Sequence, residues 1–165
     1  MTSPFDAAVG IRDGGVGGRF PGEIHQGVAW WTGACLVVAT EAECIAIAHD
    51  GHAISEAFHH RLRRGAVNAQ HYACRVVDLD AAEERELLHT MKELGQVPGA
   101  LVTTTSRGGV VSIRIFLYDQ WGRVLEEEAG LGKIRRMIAE DRVPIPVNEK
   151  ARGRVESHRP EGGER

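Results

Sequence analysis

The sequence has no long apolar run, no signal-peptide pattern, no block of basic charge and no C-x-x-C pair. Each absence narrows the function. The longest apolar stretch near the N-terminus is too short and too interrupted to cross a bilayer, so no membrane partner is expected. The first residues lack the basic-then-apolar order of a signal peptide. Twenty Lys and Arg stand against 23 Asp and Glu, for a net charge of −3. No basic patch dominates, which argues against nucleic acid as a partner. The cysteines, Cys35, Cys44 and Cys74, are odd in number. Buried, reduced thiols in a cytoplasmic protein are the simplest reading. There is no internal repeat.

What is present is an ordinary globular composition. The chain has 165 residues, 42% hydrophobic and 26% charged, enough for one domain with a real core. Residues 1–8 read as a loose start, 9–145 as the domain, and 146–165 as a polar, disordered tail. Val9-Gly-Ile-Arg12 suggests a short strand followed by a glycine-rich turn through Gly18. Ile24, Val28, Trp31 and Cys35 fall at helical spacing, and so do Ile54, Ala57, Phe58 and Leu62. Between them, Cys44 to Ala48 is a short buried strand ended by Asp50-Gly51. A third strand spans Tyr72 to Leu79, and a charged amphipathic helix spans Ala81 to Leu94. Pro98-Gly99 opens another strand. Val111, Ile113, Ile115 and Leu117 then alternate with polar and aromatic residues in a last strand. The short loop before it leaves no room for a crossover helix, so that pair is expected to be antiparallel. A final helix runs from about Glu127 to Glu140, its acidic first turn in Glu126-Glu-Glu128. Strand and helix alternate, which gives an α/β class with helices on both faces of a mixed, mostly parallel sheet.

The stretch Gly99-Ala-Leu-Val-Thr-Thr-Thr-Ser-Arg-Gly-Gly109 is the most telling. It reads as a buried strand ending in four hydroxyls and a basic, glycine-rich loop. Hydroxyls at the end of an α/β strand sit where ligands bind. Free N–H groups beside Arg107 would suit an anion.

The order of motifs resembles the first domain of the phosphoglucomutase/phosphomannomutase family, the α-D-phosphohexomutases, over residues 9 to 140. Val9-Gly-Ile-Arg12 looks like the family's G-I-R-G, with Asp13 at the last glycine. Ile47-Ala-His-Asp-Gly-His-Ala-Ile-Ser55 looks like V-G-R-D-x-R-x-S-S, with His49 and His52 where the family has arginines. Val76-Val-Asp-Leu79 is similar to V-x-D-L-G. Val102-Thr-Thr-Thr-Ser-Arg-Gly108 stands at I-T-A-S-H-N-P, and Ile113-Arg-Ile-Phe116 at I-K-V-F. The resemblance implies a three-layer α/β/α sandwich of the phosphohexomutase domain I type. It places Thr105 at the family's phosphorylated serine and Ser106 at the following histidine; a one-residue shift puts Thr104 there instead. The family's D-G-D-G-D magnesium loop and its sugar-binding residues belong to later domains and have no counterpart here. The implied protein is a stand-alone, degenerate first domain, not a complete mutase.

Two functions follow as expectations. One is a repurposed small-molecule enzyme, isomerase- or cyclase-like, with Thr105, His49 and His52 as candidate catalytic residues. Arg12, Asp50, Thr103, Thr104, Ser106 and Arg107 would then bind a ligand of anionic character. A histidine at a strand end can act as acid or base near neutral pH, and a threonine nucleophile needs activation. The other is a non-catalytic binding or scaffold protein that keeps only the fold. His52, Glu56 and His60 lie at i, i+4 and i+8, a spacing that can hold zinc. Arg61, Arg63 and Arg64 crowd that face, so neither a metal nor a cofactor is expected. A homodimer is expected, with Trp30, Phe116 and Tyr118 as candidate contacts and Trp31 in the core.

Overall fold

Residues 26–40 are apolar nearly all the way round, and a helix of that kind has to be covered on most sides. In the computed structural model, which describes residues 5–69, 74–140 and 154–158, this segment is helix α2 (Gln26–Thr40), with Val28 through Val37 largely buried. Its partner is α3 (Ala53–Val67), whose Phe58 and Leu62 face the same core. The two helices meet backbone to backbone. A Cβ at Gly33 would run into the Leu62 carbonyl oxygen, and one at Gly65 into that of Trp30. Only glycine permits either approach.

The chain opens with a short helix, α1 (Ala7–Gly10), followed by strand β1 (Ile11–Arg12). The expected strand at 9–12 is thus half helix, because the Asp6 carboxylate accepts the Ala8 N–H and starts a turn. The glycine-rich stretch read as a turn is strand β2 (Gly15–Arg19). It pairs with β6 (Val110–Tyr118) along its whole length. Strands β3 (Cys44–His49), β4 (Arg75–Ala81) and β5 (Gly99–Arg107) complete the middle of the sheet. Tyr72, the expected start of the third strand, lies outside the described residues. Helix α4 (Glu84–Glu93) begins later than read from the sequence, because Ala81 is still paired to His49 in the sheet. Beyond β6, a 3-10 turn at Glu127–Ala129 and helix α5 (Leu131–Ala139) replace one continuous helix. Arg135 clamps the break, donating to both Glu127 oxygens and to the Ile11 carbonyl.

The strand order is β1-β2-β6-β5-β3-β4-β7, where β7 is Arg154–Ser157. Strands β5, β3, β4 and β7 are mutually parallel, and the ladders among β5, β6, β2 and β1 are antiparallel. The expected antiparallel β5/β6 pair is present. The sequence predicts residues 154–157 as part of a disordered tail; they form the edge strand instead, tied in by an Arg75–Glu156 ion pair of 2.7 Å. The rest of 146–165 lies outside the described residues, His158 excepted.

Helices α2, α3 and α5 pack on one face through the larger core. On the other face α4 covers β3 and β5 through Ala46, Ala48, Leu87, Met91 and Leu101. This is the α/β/α sandwich that the motif order implied. Tyr118 also belongs to this second core and donates its hydroxyl to Glu84 at 2.6 Å. It is 2% exposed and is no surface contact residue. Trp30 and Trp31 are both half-buried against the larger core. Among the described residues no helix is long and apolar enough to cross a membrane.

The Gly33/Gly65 crossing has a direct test. Gly65→Ala forces a methyl group into the Trp30 carbonyl and should destabilise the fold by about 1–3 kcal/mol, the scale of overpacking in a close-packed interior. Denaturant unfolding measures it, and an unchanged midpoint would show that the helices separate at no cost.

Candidate functional site

The residues from Thr103 to Arg107 are not a loop. They extend β5 to a two-residue turn at Gly108-Gly109, where both glycines have positive φ (54° and 82°). That is the geometry of the tight hairpin turns that match strand twist. The basic, glycine-rich anion loop expected there is absent, because every residue from 99 to 107 is paired in register with β6.

Making this segment a strand decides where its hydroxyls go. Successive side chains of a strand point to opposite faces. Ala100 and Val102 enter the α2/α3 core, whereas Leu101 enters the α4 core. Thr104 therefore faces α3, and Thr103 and Thr105 face the opposite way. The two alternative registers for a catalytic hydroxyl are two different sites.

On the α3 face, Thr104 meets the end of β3. Its N–H donates to Asp50 Oδ2 at 2.8 Å, and its hydroxyl lies 2.5 Å from the Ser55 hydroxyl. Asp50 Oδ1 accepts the His52 N–H at 3.0 Å. Burial opposes the Asp50 charge, yet the Thr104 and His52 N–H groups and the Ser55 hydroxyl beside it hold its carboxyl below the usual value. The Asp50 N–H reaches the Val102 carbonyl at 3.1 Å. Asp50 is thus a latch between β3, β5 and the start of α3.

The candidate histidine rings stand beside this latch, which His52 joins only through its backbone N–H. His49 is the last residue of β3 and is buried, not a loop residue. Its Nδ1 accepts the Gly51 N–H at 3.0 Å, so Nε2 carries the proton and donates to Asp80 at 2.8 Å. His52 caps α3, its Nδ1 accepting the Ile54 N–H at 3.1 Å. Among the described residues no hydrogen bond joins either ring to a threonine. The spacing read at His52, Glu56 and His60 makes no metal set, since His60 Nδ1 pairs with Arg63 at 2.8 Å. Donor atoms of His49, Glu56 and Asp80 do lie within 4.8 Å of one another. With Gly51 holding Nδ1, however, His49 has no lone pair left for a cation.

Behind this group is a buried network that the sequence did not suggest. Asp78 accepts from His59 Nε2 at 2.8 Å, from Arg63 at 2.6 Å and from the Asp80 N–H at 2.8 Å. Burial works against its charge, but the His59 and Arg63 contacts keep its carboxyl far below the carboxylate range. His59 Nδ1 is buried with no partner among the described residues.

On the opposite side, a cavity of about 610 Å³ lies along β1, β2 and β6, among Arg12, Arg19, Thr105, Ser112 and Arg114. Here Arg12 and Thr105 do come together, as the motif order implied. Arg114 was missed as a site residue, although it stands at the lysine of the I-K-V-F resemblance. Its Nη2 donates to the carbonyls of Arg12 and Asp13 at 2.7 and 2.9 Å. Burial lowers its pKa, Asp13 raises it and Arg12 lowers it again. Arg19 is paired with Glu23 at 2.9 Å. The Arg12 guanidinium has no partner among the described residues. Thr103 donates to the Arg114 carbonyl at 3.3 Å. Ser106 and Arg107 are exposed near the hairpin turn and line neither arrangement. The expected single crevice is therefore two: Asp50 with Thr104, and Arg12 with Thr105.

No protein-family profile and no curated protein matches the sequence. Solved structures do. One is a phosphoglucomutase/phosphomannomutase family protein from Burkholderia thailandensis, with a TM-score of 0.68 and 14% identity over 93% of this chain and 33% of that one. Another is a protein assigned as a phosphomannomutase from Thermus thermophilus, with a TM-score of 0.71 and 16% identity over 96% and 34%. The chain spans about a third of the length of these proteins. At such identity the likeness establishes the fold, which is the one the motif order implied.

The latch is testable. Asp50→Ala leaves the Thr104 and His52 N–H groups without their acceptor, at a cost of about 1–3 kcal/mol. Because the folded-state pKa of Asp50 is lowered, its contribution is complete above the unfolded value near ~3.9 and is lost only as pH falls through the folded value. The penalty should therefore be constant from neutral pH down to about 5 in denaturant titrations. A penalty that fades near pH ~6 would assign the effect to a histidine.

Proposed function

We propose that this is a phosphomannomutase-like domain that binds a small anionic ligand in the Arg12–Arg114 cavity and does not by itself complete a mutase reaction. One observation carries the reading: Arg12, with no partner among the described residues, and the half-buried Arg114 share a cavity with the Thr105 and Ser112 hydroxyls, beside Asp6 and the Arg19–Glu23 pair. Burial opposes the Arg114 charge, Asp13 favours it and Arg12 opposes it. An anion between the two guanidiniums offsets their repulsion, and charge-assisted hydrogen bonds to guanidinium are among the stronger polar contacts.

Catalysis has less support. The Thr105 hydroxyl has no base within hydrogen-bond reach among the described residues, and a threonine nucleophile requires one. A second reading, a repurposed isomerase- or cyclase-like enzyme, draws on one feature. The Asp50 carboxylate, the Ser55 hydroxyl and the Thr104 hydroxyl stand in sequence at the strand ends, an arrangement able to pass a proton.

Titration with inorganic phosphate and with hexose phosphates at low salt tests the binding reading. Amide shifts should map to Arg12, Thr105, Ser112 and Arg114. Arg12→Ala should weaken binding by about tenfold, the effect of ~1.4 kcal/mol. Shifts elsewhere, or an affinity indifferent to Arg12→Ala, would reject the site. The same chain assayed for hexose-phosphate interconversion, with Mg²⁺ and a bisphosphate activator, should show no turnover. Turnover abolished by Thr105→Ala would overturn the non-mutase reading. Turnover of any sugar phosphate that is lost in Thr104→Val and kept in Thr105→Ala would favour the second reading.

A further inference from the structure

Both long helices that cover the larger core begin on a histidine. His25 Nδ1 accepts the Gly27 N–H at 3.1 Å at the start of α2, and His52 Nδ1 accepts the Ile54 N–H at 3.1 Å at the start of α3. N-cap positions favour Asn, Asp, Ser and Thr, whose oxygens accept across the physiological range. An imidazole nitrogen accepts only while it is unprotonated. Protonation turns the acceptor into an N–H facing an N–H. It also brings positive charge to the positive end of the helix macrodipole.

We propose that His25 makes the start of α2 a pH-sensitive element, in which acidification through the histidine range releases its cap and opens the first turn of the helix. The device is independent of the ligand reading, but it borders the arginine cavity. Arg19, Gly22 and Glu23 line that cavity, and the chain runs from them into His25.

The groups facing each histidine set the balance. The Trp31 ring packs edge-on against His25 with centroids 5.4 Å apart. Across the neighbouring cavity, Gln26 is joined by Glu56, His60, Arg61, Arg63 and Asp80, of mixed charge. Burial holds His25 below the usual histidine value. His52 faces the Asp50 carboxylate, and Glu56 follows one turn along α3. His49 uses the same acceptor geometry toward Gly51, opposite Asp80 and edge-on to His59. The sign follows from His25. A histidine whose folded value is depressed leaves stability intact above the unfolded value near ~6.5 and removes it as pH falls below that toward the folded value.

Thermal melts of the full chain at about pH 7.5 and about pH 5.5 test this, in wild type and His25→Asn. Asparagine caps a helix without titrating. Wild type should lose about 2–4 °C more than His25→Asn on acidification. His89→Asn, on the exposed face of α4, serves as a control and should lose as much as wild type. Amide NMR supplies a readout that a merely structural role would not move: the Gly27 resonance should titrate in wild type and stay fixed in His25→Asn. A His25→Asn variant that loses as much as wild type, or a Gly27 amide that does not move over this range, would overturn the proposal.

Discussion

The close approach of α2 and α3 is the constraint on which the rest of the molecule depends. Each helix puts a glycine against a carbonyl of the other, so the axes stand nearer than side chains would allow. Residues three and four apart share a helix face, and once α3 is fixed at Gly65 its N-terminal half is fixed as well. Ser55 then falls against Thr104, and His59 and Arg63 fall against Asp78. The polar network is tolerated only because this packing holds its members in hydrogen-bond geometry. A buried carboxylate without such partners would cost several kcal/mol.

The sheet divides the candidate site residues by strand parity. Had the chain turned away after Val102, the hydroxyls would have clustered around one loop at the strand ends. Instead the β5/β6 ladder runs on to Gly108-Gly109, and alternation sends Thr104 to the helices and Thr105 to the arginines. The Asp50 latch takes the N–H of Thr104 that β6 does not use. In an antiparallel pair such outward N–H groups alternate with those of the ladder. The same latch holds the end of β3. The second crevice is lined by Arg12, which has no partner among the described residues, and by a strand rich in glycine.

Periodicity made the frame legible in the sequence. The helical stripe through Val28, Trp31 and Cys35, that of Ile54–Leu62, the apolar run at Cys44–Ala48 and the alternation in Val111–Leu117 each became the expected element, although Ile24 precedes the first helix, which starts at Gln26. What was not legible depended on partners distant in sequence. Gly15–Arg19 has the composition of a turn, and only its pairing with Ser112–Phe116 makes it a strand. Thr103–Arg107 has the composition of a loop, and only pairing in register makes it a hairpin arm. Strand β7 carries no apolar run, and the Arg75–Glu156 pair that helps hold it joins residues remote in sequence. The candidate site shared this fate. Arg12, Thr105, Asp50 and Thr104 were visible as residue types, while their division between two faces depended on where β5 ends.

The histidines at 49 and 52 show why a substitution of one basic residue for another changes the local physics. The resemblance places arginines at both positions, and a guanidinium has five donors and no acceptor. Here both side chains accept a backbone N–H through Nδ1, a bond that arginine cannot make. At the turn from β3 into α3, both side chains satisfy the chain's own N–H donors. The cationic character of the molecule's candidate sites is left to Arg12 and Arg114, on the other side of the sheet.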